Sequence, residues 1–284
     1  MIIDGRKLAT KILARIEERA ADLPHPPRIA VIVANETPAT RSYLAIKEKR
    51  AQGAGCRLEV IRLPESASAL ELRLAVDAAQ ADAIVVQLPL PEGVNAKEVC
   101  DAIPLAKDAD VLSTASRMRF EADAPAENGG LRNPLIPPVA GALAEILRTN
   151  DINPAGKRAV VLGDGWLVGR PCATWLTHAG ADVIHLRTFV HDLTELRLAD
   201  IIVSGLGSPH LIKPEMLKEG IVLVDAGTSE SGGKLAGDAD PACAATCALF
   251  TPVPGGVGPI AVAKLFENVV TLAEQNIDKS RNKA

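Results

Sequence analysis

Tyr43 and Lys47 stand four residues apart, so on a helix they share one face about a turn apart. Tyr43 is the only tyrosine in the chain. A lysine held against an aromatic and away from water has a lowered pKa and can trade protons near neutrality. By pattern alone, an exposed helix in a stretch rich in Lys47, Lys49 and Arg50 is the simpler reading. The position weighs the other way. The pair follows the strand Arg28–Ala34, at the end where open parallel sheets bind ligands. Gln87 ends a later aliphatic run just before Pro89-Leu90-Pro91, either as a capping amide or as a group aimed into a cleft. Asp110 follows the next unit at the same edge. Tyr43, Lys47, Gln87 and Asp110 together would supply a stacking surface, a proton carrier, an orienting amide and a carboxylate. Such a carboxylate suits the paired N–H donors of an amino-pyrimidinone ring.

A second stretch carries different chemistry. Ala159 to Pro171 runs from an aliphatic strand through Gly163-Asp164-Gly165 to Gly169 near a helix start. Strand, tight turn and helix N-terminus in that order cradle a pyrophosphate, because the freed N–H groups and the helix dipole both favour an anion. The spacing Gly-x-Gly-x-x-x-Gly is one residue longer than the commonest dinucleotide fingerprint. An ordinary βα turn also favours glycine, so this segment by itself leaves the two readings level.

The elements that must position these residues alternate. Leu8, Ile12, Leu13 and Ile16 predict a first amphipathic helix. Strands are expected at Arg28–Ala34, Arg57–Leu63 and Ala83–Leu88. Helices are expected from Thr37, as cap, to about Gly53, at Ala67–Gln80 and at Asn95–Ile103. Met118–Pro138 reads as an irregular inter-domain connection, followed by a helix at about Val139–Arg148. A second series then runs as strand Ala159–Leu162, helix Val168–His178, strand Asp182–Leu186, helix Asp192–Leu198 and strands Asp200–Ser204 and Ile221–Asp225. An irregular stretch and the loop Thr251–Pro259 lead to a last helix from Ile260 to about Gln275. This alternation predicts an α/β protein of two domains, an N-terminal parallel-sheet catalytic domain and a Rossmann-type dinucleotide-binding domain.

The chain of 284 residues is long enough for two cores. With 48% hydrophobic residues but only 2% aromatics, those cores must be aliphatic, as parallel sheets between helices are. A net charge of -4 gives no electrostatic footprint for nucleic acid or an anionic membrane. The N-terminus lacks a signal-peptide apolar region, and no run is long enough to span a bilayer. Five scattered cysteines suit reduced thiols in a cytosol. Cys243 and Cys247 lack nearby partners for a metal, so no metal is expected.

Several motifs in order resemble the FolD family, the bifunctional methylenetetrahydrofolate dehydrogenase / methenyltetrahydrofolate cyclohydrolase. They are Thr40-x-x-Tyr43-x-x-x-Lys47, Val86-Gln87-Leu88-Pro89-Leu90-Pro91, Lys107-Asp108-Ala109-Asp110, Gly163 to Pro171, and Pro252-Val253-Pro254-Gly255-Gly256-Val257-Gly258-Pro259. The resemblance covers nearly the whole chain. It implies that Tyr43 stacks on the folate rings, that Lys47 is the key catalytic residue of the cyclohydrolase step, that Gln87 tunes Lys47, and that Asp110 binds the pterin. Leu88, Pro254, Gly255 and Gly256 would also line the folate site. Gly163, Asp164, Gly165, Val168, Gly169, Pro171, Arg187, Thr188 and Gly205 would hold NADP, with NAD as the alternative. It further implies a folate-binding domain of residues 1–136 plus 260–284, an NAD(P)-binding domain of residues 137–259, a last helix returning to the first domain, and a cytoplasmic homodimer in one-carbon metabolism.

The chain departs from the family's pattern at places that touch the expected pocket wall. Val111, Ser116 and Met118 replace glycine, asparagine and glycine, Pro137–Ala142 replaces a Pro-Cys-Thr-Pro-x-Gly motif, and Ile260-Ala261 replaces Met-Thr. A degenerate homologue that binds folate or nucleotide without turnover is therefore the second reading. Asp164-Gly165 replaces Arg-Ser in the cofactor turn. Arg187 and Thr188 favour a 2′-phosphate, whereas Asp164 would repel one if it points there.

Overall fold

The computed structural model describes residues 1–122, 135–187, 194–231 and 234–281. Its helices and strands follow in the order α1 (Gly5–Ala21), β1 (Arg28–Val33), α2 (Pro38–Gly53), β2 (Arg57–Arg62), α3 (Ala69–Ala78), β3 (Ala83–Val86), α4 (Ala96–Cys100), α5 (Thr114–Ala122) and α6 (Pro138–Thr149). Then come β4 (Arg158–Leu162), α7 (Gly169–His178), β5 (Asp182–Leu186), β6 (Ile201–Ser204), β7 (Ile221–Asp225), β8 (Ser229–Ser231), β9 (Lys234–Ala236), β10 (Cys247–Phe250) and α8 (Val257–Arg281). Two compact units emerge. Among the described residues, one takes 10–122, 135–137 and 262–281, and the other takes 1–9 and 138–261.

The first unit is built on a three-stranded parallel sheet in the order β2-β1-β3. Strands β1 and β3 are aliphatic and almost wholly buried, which suits a sheet covered on both faces. Helix starts are written into the sequence. Thr37 accepts from the Thr40 N–H with Pro38 in the first turn, Ser68 and Glu71 form a reciprocal capping box, and Asn95 caps α4. The C-terminal helix α8 packs on α1, where Arg19 reaches Glu274 at 2.7 Å and Thr271 at 2.8 Å.

The second unit carries a five-stranded parallel sheet in the order β10-β7-β6-β4-β5. The chain leaves β4 for β5 on one side and returns to β6 on the other. The C-terminal end of β4 is therefore a topological switch point, where open α/β sheets form a ligand crevice. Met1–Ala9 belongs to this unit through Ile3, whose N–H donates to the Phe250 carbonyl at 2.9 Å.

Three expectations are corrected. The irregular connection does not begin at Met118, because α5 continues through Ala122 with Phe120 buried beneath it. Met118 is 63% exposed on that helix. Thr194–Arg197 is a short 3₁₀ turn and no α-helix forms there, while residues 192 and 193 lie outside the described residues. The stretch before the Pro-Gly loop is not all irregular, since it contains the β8–β9 hairpin and β10, whose parallel pairing with β7 shifts register between Cys247 and Leu249.

Candidate active site and dinucleotide cradle

The polar site of the first unit grows from the ends of β1 and β3. The Gln87 N–H donates to the Ile32 carbonyl at 2.9 Å, prolonging the ladder by one residue past β3. Its side chain spans two partners. Oε1 accepts from Lys47 Nζ at 2.7 Å, and Nε2 donates to the Leu88 carbonyl at 2.7 Å, just before the cis Leu88–Pro89 bond. Because the Leu88 carbonyl can only accept, Gln87 is fixed in one amide orientation, with Oε1 towards Lys47.

Lys47 is 9% exposed on α2. Burial lowers its pKa from the usual lysine range, and the carboxylate of Asp110 opposes that shift. Asp110 is driven the other way: burial raises its pKa, Lys47 lowers it, and nearby Asp108 adds to the rise. Each of the two thus depends on the other to remain charged. Tyr43 lies one turn before Lys47 on the α2 backbone, and its side chain falls outside the described residues.

The two aspartates of Lys107-Asp108-Ala109-Asp110 divide the work. The segment runs beside β3, with the Ile84 N–H donating to the Lys107 carbonyl at 2.7 Å. Asp108 is fully buried and accepts from the Leu112 N–H at 3.2 Å and the Ser113 N–H at 2.8 Å. Those bonds close a turn around Val111, which sits at φ 56°, a costly region for a β-branched residue. Asp108 spends its oxygens on backbone, which leaves Asp110 as the carboxylate coupled to Lys47.

Sequence reasoning missed a further contributor, Asn268 on α8. It is 3% exposed, and its Nδ2 donates to the Ala109 carbonyl at 2.8 Å and to the Ile136 carbonyl at 2.8 Å. It pins the backbone beside Asp110. The only sequence signal was a polar residue on the apolar side of a helix. Ser116, one of the departures, is buried and bonded to Ser113 at 2.9 Å.

The second unit holds the glycine turn, which is packed backbone against backbone. A Cβ on Gly169 would stand 1.8 Å from the Gly163 carbonyl oxygen, and one on Gly163, at φ 101°, would stand 2.7 Å from that of Gly205. Gly205 in turn leaves room for Val168, since its Cβ would meet Val168 Cγ1 at 2.3 Å. These glycines bring α7 hard against β4 and β6, and Pro171 is buried in its first turn. A Cβ on Gly165, by contrast, would meet nothing within 4 Å. No side chain caps the start of α7. Open space above an uncapped helix start fits a pyrophosphate.

Asp164 is the charged member of this turn. Arg170 grips it with two nitrogens, at 2.6 Å and 3.0 Å, and also reaches its carbonyl at 3.0 Å. Arg187 Nε lies 3.8 Å and His185 Nε2 3.9 Å from Asp164 Oδ1. The hydrogen bonds from Arg170 hold the carboxyl below the usual carboxylate range, although the group is near solvent. His185 Nε2 is also 2.8 Å from the Gly163 carbonyl, which can only accept, so that nitrogen carries the proton. Thr188 lies outside the described residues.

Pro254, Gly255 and Gly256 belong to the second unit and serve the backbone there. The Gly5 N–H donates to the Gly255 carbonyl at 2.9 Å, and the Gly256 N–H to Pro252 at 2.8 Å. Val253–Pro254 is cis. A Cβ on Gly5 would stand 1.8 Å from the Gly256 carbonyl oxygen, so this loop cradles the start of α1.

Among the described residues, no helix is long and apolar enough to cross a membrane. Comparison with known proteins completes the picture. Residues 3–110 match the family model for the tetrahydrofolate dehydrogenase/cyclohydrolase catalytic domain, and residues 137–277 that for its NAD(P)-binding domain. The chain is 37% identical over 283 residues to the bifunctional protein FolD of Lacticaseibacillus casei, covering 96% of this chain and 97% of the relative. The crystal structure of the bifunctional enzyme FolD from Campylobacter jejuni superposes with a TM-score of 0.89 at 31% identity, covering 97% of this chain and 99% of that one. A Trypanosoma brucei FolD complexed with NADP cofactor and inhibitor does so with a TM-score of 0.89 at 30% identity, covering 98% of each. The chain belongs to the tetrahydrofolate dehydrogenase/cyclohydrolase family.

Proposed function

We propose that this chain oxidises methylenetetrahydrofolate to methenyltetrahydrofolate with NADP, or alternatively NAD, and hydrolyses the methenyl compound to formyltetrahydrofolate. Family membership supports both activities. The single observation that carries the reading is the buried Lys47–Gln87 pair with Asp110 coupled to it.

The methenyl substrate is a cation with an electrophilic carbon between two nitrogens. Hydrolysis adds water to that carbon, releases a proton, and then breaks one carbon–nitrogen bond to leave the formyl group. A lysine whose ammonium form is disfavoured by burial can accept the water's proton as the neutral amine and return it to the departing nitrogen. Gln87 keeps Nζ oriented for both transfers. Asp110 accepts N–H donors of the pterin, Tyr43 stacks on its ring, and Leu88 lines the same pocket. A bound nicotinamide would supply the hydride acceptor for the oxidation of the methylene carbon. The chain's own part is to hold the dinucleotide with Gly163, Asp164, Gly165, Val168, Gly169, Pro171, Arg187, Thr188 and Gly205, so positioning dominates. Pro254, Gly255 and Gly256 are assigned to the folate cleft, in addition to their backbone role.

In this reading the folate-binding domain takes residues 1–136 plus 260–284 and the dinucleotide domain residues 137–259. The protein acts as a cytoplasmic homodimer. Five buried free cysteines, four of them with thiols pushed up to about 12, suit a reducing compartment.

The test is Lys47→Met assayed in both reactions. The expected result is a fall of about a thousandfold or more in methenyltetrahydrofolate hydrolysis, while dinucleotide binding stays within about twofold. Undiminished hydrolysis would remove Lys47 from the mechanism.

A further inference from the structure

In this fold a carboxylate at the end of the second strand normally meets the adenosine ribose 2′-hydroxyl, and a nearby arginine accommodates a 2′-phosphate instead. Here the second strand of the dinucleotide sheet, β5, ends His185-Leu186 and is followed by Arg187. No carboxylate stands at that strand end. One reaches it from elsewhere: Asp164, in the glycine turn after β4, extends Oδ1 to 3.8 Å from Arg187 Nε and 3.9 Å from His185 Nε2. Both carboxylate oxygens and its own carbonyl also accept from Arg170.

The geometry points to Asp164 as the residue that sets the choice between the phosphorylated and unphosphorylated dinucleotide. This inference rests on the dinucleotide reading given above. Three cationic or proton-bearing groups converge on one carboxylate, at the place where a 2′-phosphate would seek the same partners. A phosphate arriving there must part Asp164 from Arg187 and then lie beside a like charge. A ribose hydroxyl can instead donate to the carboxylate. Asp164 therefore narrows the advantage that Arg187 gives to NADP and strengthens the position of NAD. The grip of Arg170 keeps the carboxylate in place, because a bidentate arginine–carboxylate pair fixes direction as well as charge. The neighbouring Gly165 leaves open space for the ligand.

The experiment measures binding of two fragments, 2′,5′-ADP and 5′-AMP, by calorimetry to the full chain and to Asp164→Asn, which keeps the side-chain shape and removes its charge. The expected result is that affinity for 2′,5′-ADP relative to 5′-AMP rises by about tenfold. A change smaller than about threefold, or a fall, overturns the assignment. Asp164→Ser provides a second variant should the first disturb folding, with the same expectation, and circular dichroism reports the fold of each. As a kinetic readout, the ratio of kcat/KM for NADP over NAD should move in the same direction. Failure of both fragments to bind any of the proteins overturns the dinucleotide reading itself, an outcome distinct from an unchanged ratio.

Discussion

The two units build their sites from opposite materials. Around Lys47 the working groups are side chains, and backbone is arranged to hold them: Gln87 closes a strand, Asp108 closes a turn, and Asn268 pins the carbonyl beside Asp110. Around Gly163 side chains are missing so that strand and helix can approach, which leaves backbone N–H groups as the donors an anion would meet there. The first site depends on a few polar side-chain atoms held by hydrogen bonds. The second depends on the absence of a Cβ at Gly163, Gly169 and Gly205. Asp164 is the exception that carries charge into the second site.

That contrast can be broken by adding one methyl group. Gly169→Ala places a Cβ 1.8 Å from a backbone oxygen, and the helix start must shift. A displacement of that order should weaken dinucleotide binding by about a hundredfold, and the overpacking should cost about 1–3 kcal/mol of stability. Hydrolysis of the methenyl substrate should change far less. Equal loss of both would show that the two sites are not separable.

Buried carboxylates sharpen the contrast. In the second unit Asp225 is 1% exposed and accepts from the N–H groups of Gly227, Asp238 and Ala239. Burial pushes its pKa up to about 6. A raised folded-state value means that the group's stabilising contribution is full below about 3.8 and is lost as pH rises through about 6. The magnitude is on the order of 3 kcal/mol. The stability difference between Asp225→Asn and the unaltered chain should therefore shift in the variant's favour from pH 4 to pH 7, read by denaturant midpoints. A flat difference would contradict it.

Asn268→Leu leaves the buried Ala109 carbonyl and the half-buried Ile136 carbonyl without this donor. The expected loss is about 2 kcal/mol of stability, with hydrolysis reduced more than dinucleotide affinity. Gln87→Leu has the smallest predicted effect, about tenfold in hydrolysis. Because the Gln87 amide oxygen favours the ammonium form of Lys47, losing it should move the ascending limb of the pH–rate profile, which follows formation of the neutral amine, to lower pH. The limb in the unaltered chain should lie below the ordinary lysine value of 10.5.

Much of this was legible in the sequence for physical reasons. Aliphatic runs, the cap at Thr37 and glycines at the β4–α7 turn are local signals, and the elements they imply formed. What was illegible depends on distant partners. The split between Asp108 and Asp110 is decided by backbone donors at Leu112 and Ser113, and the role of Asn268 by a loop 159 residues earlier. Short β10 forms because β7 offers it a free edge, and its composition gave little warning. Likewise, Asp164 read as a possible repulsive charge, and only folding brought Arg170, Arg187 and His185 to it.

Steady-state turnover of the purified chain tests directly whether it carries both activities. Methylenetetrahydrofolate is supplied with NADP and, separately, with NAD, and reduced nicotinamide and formyltetrahydrofolate are followed together. Both products should accumulate, the formyl compound after the reduced nicotinamide. Absence of both products with either dinucleotide would contradict the proposed function.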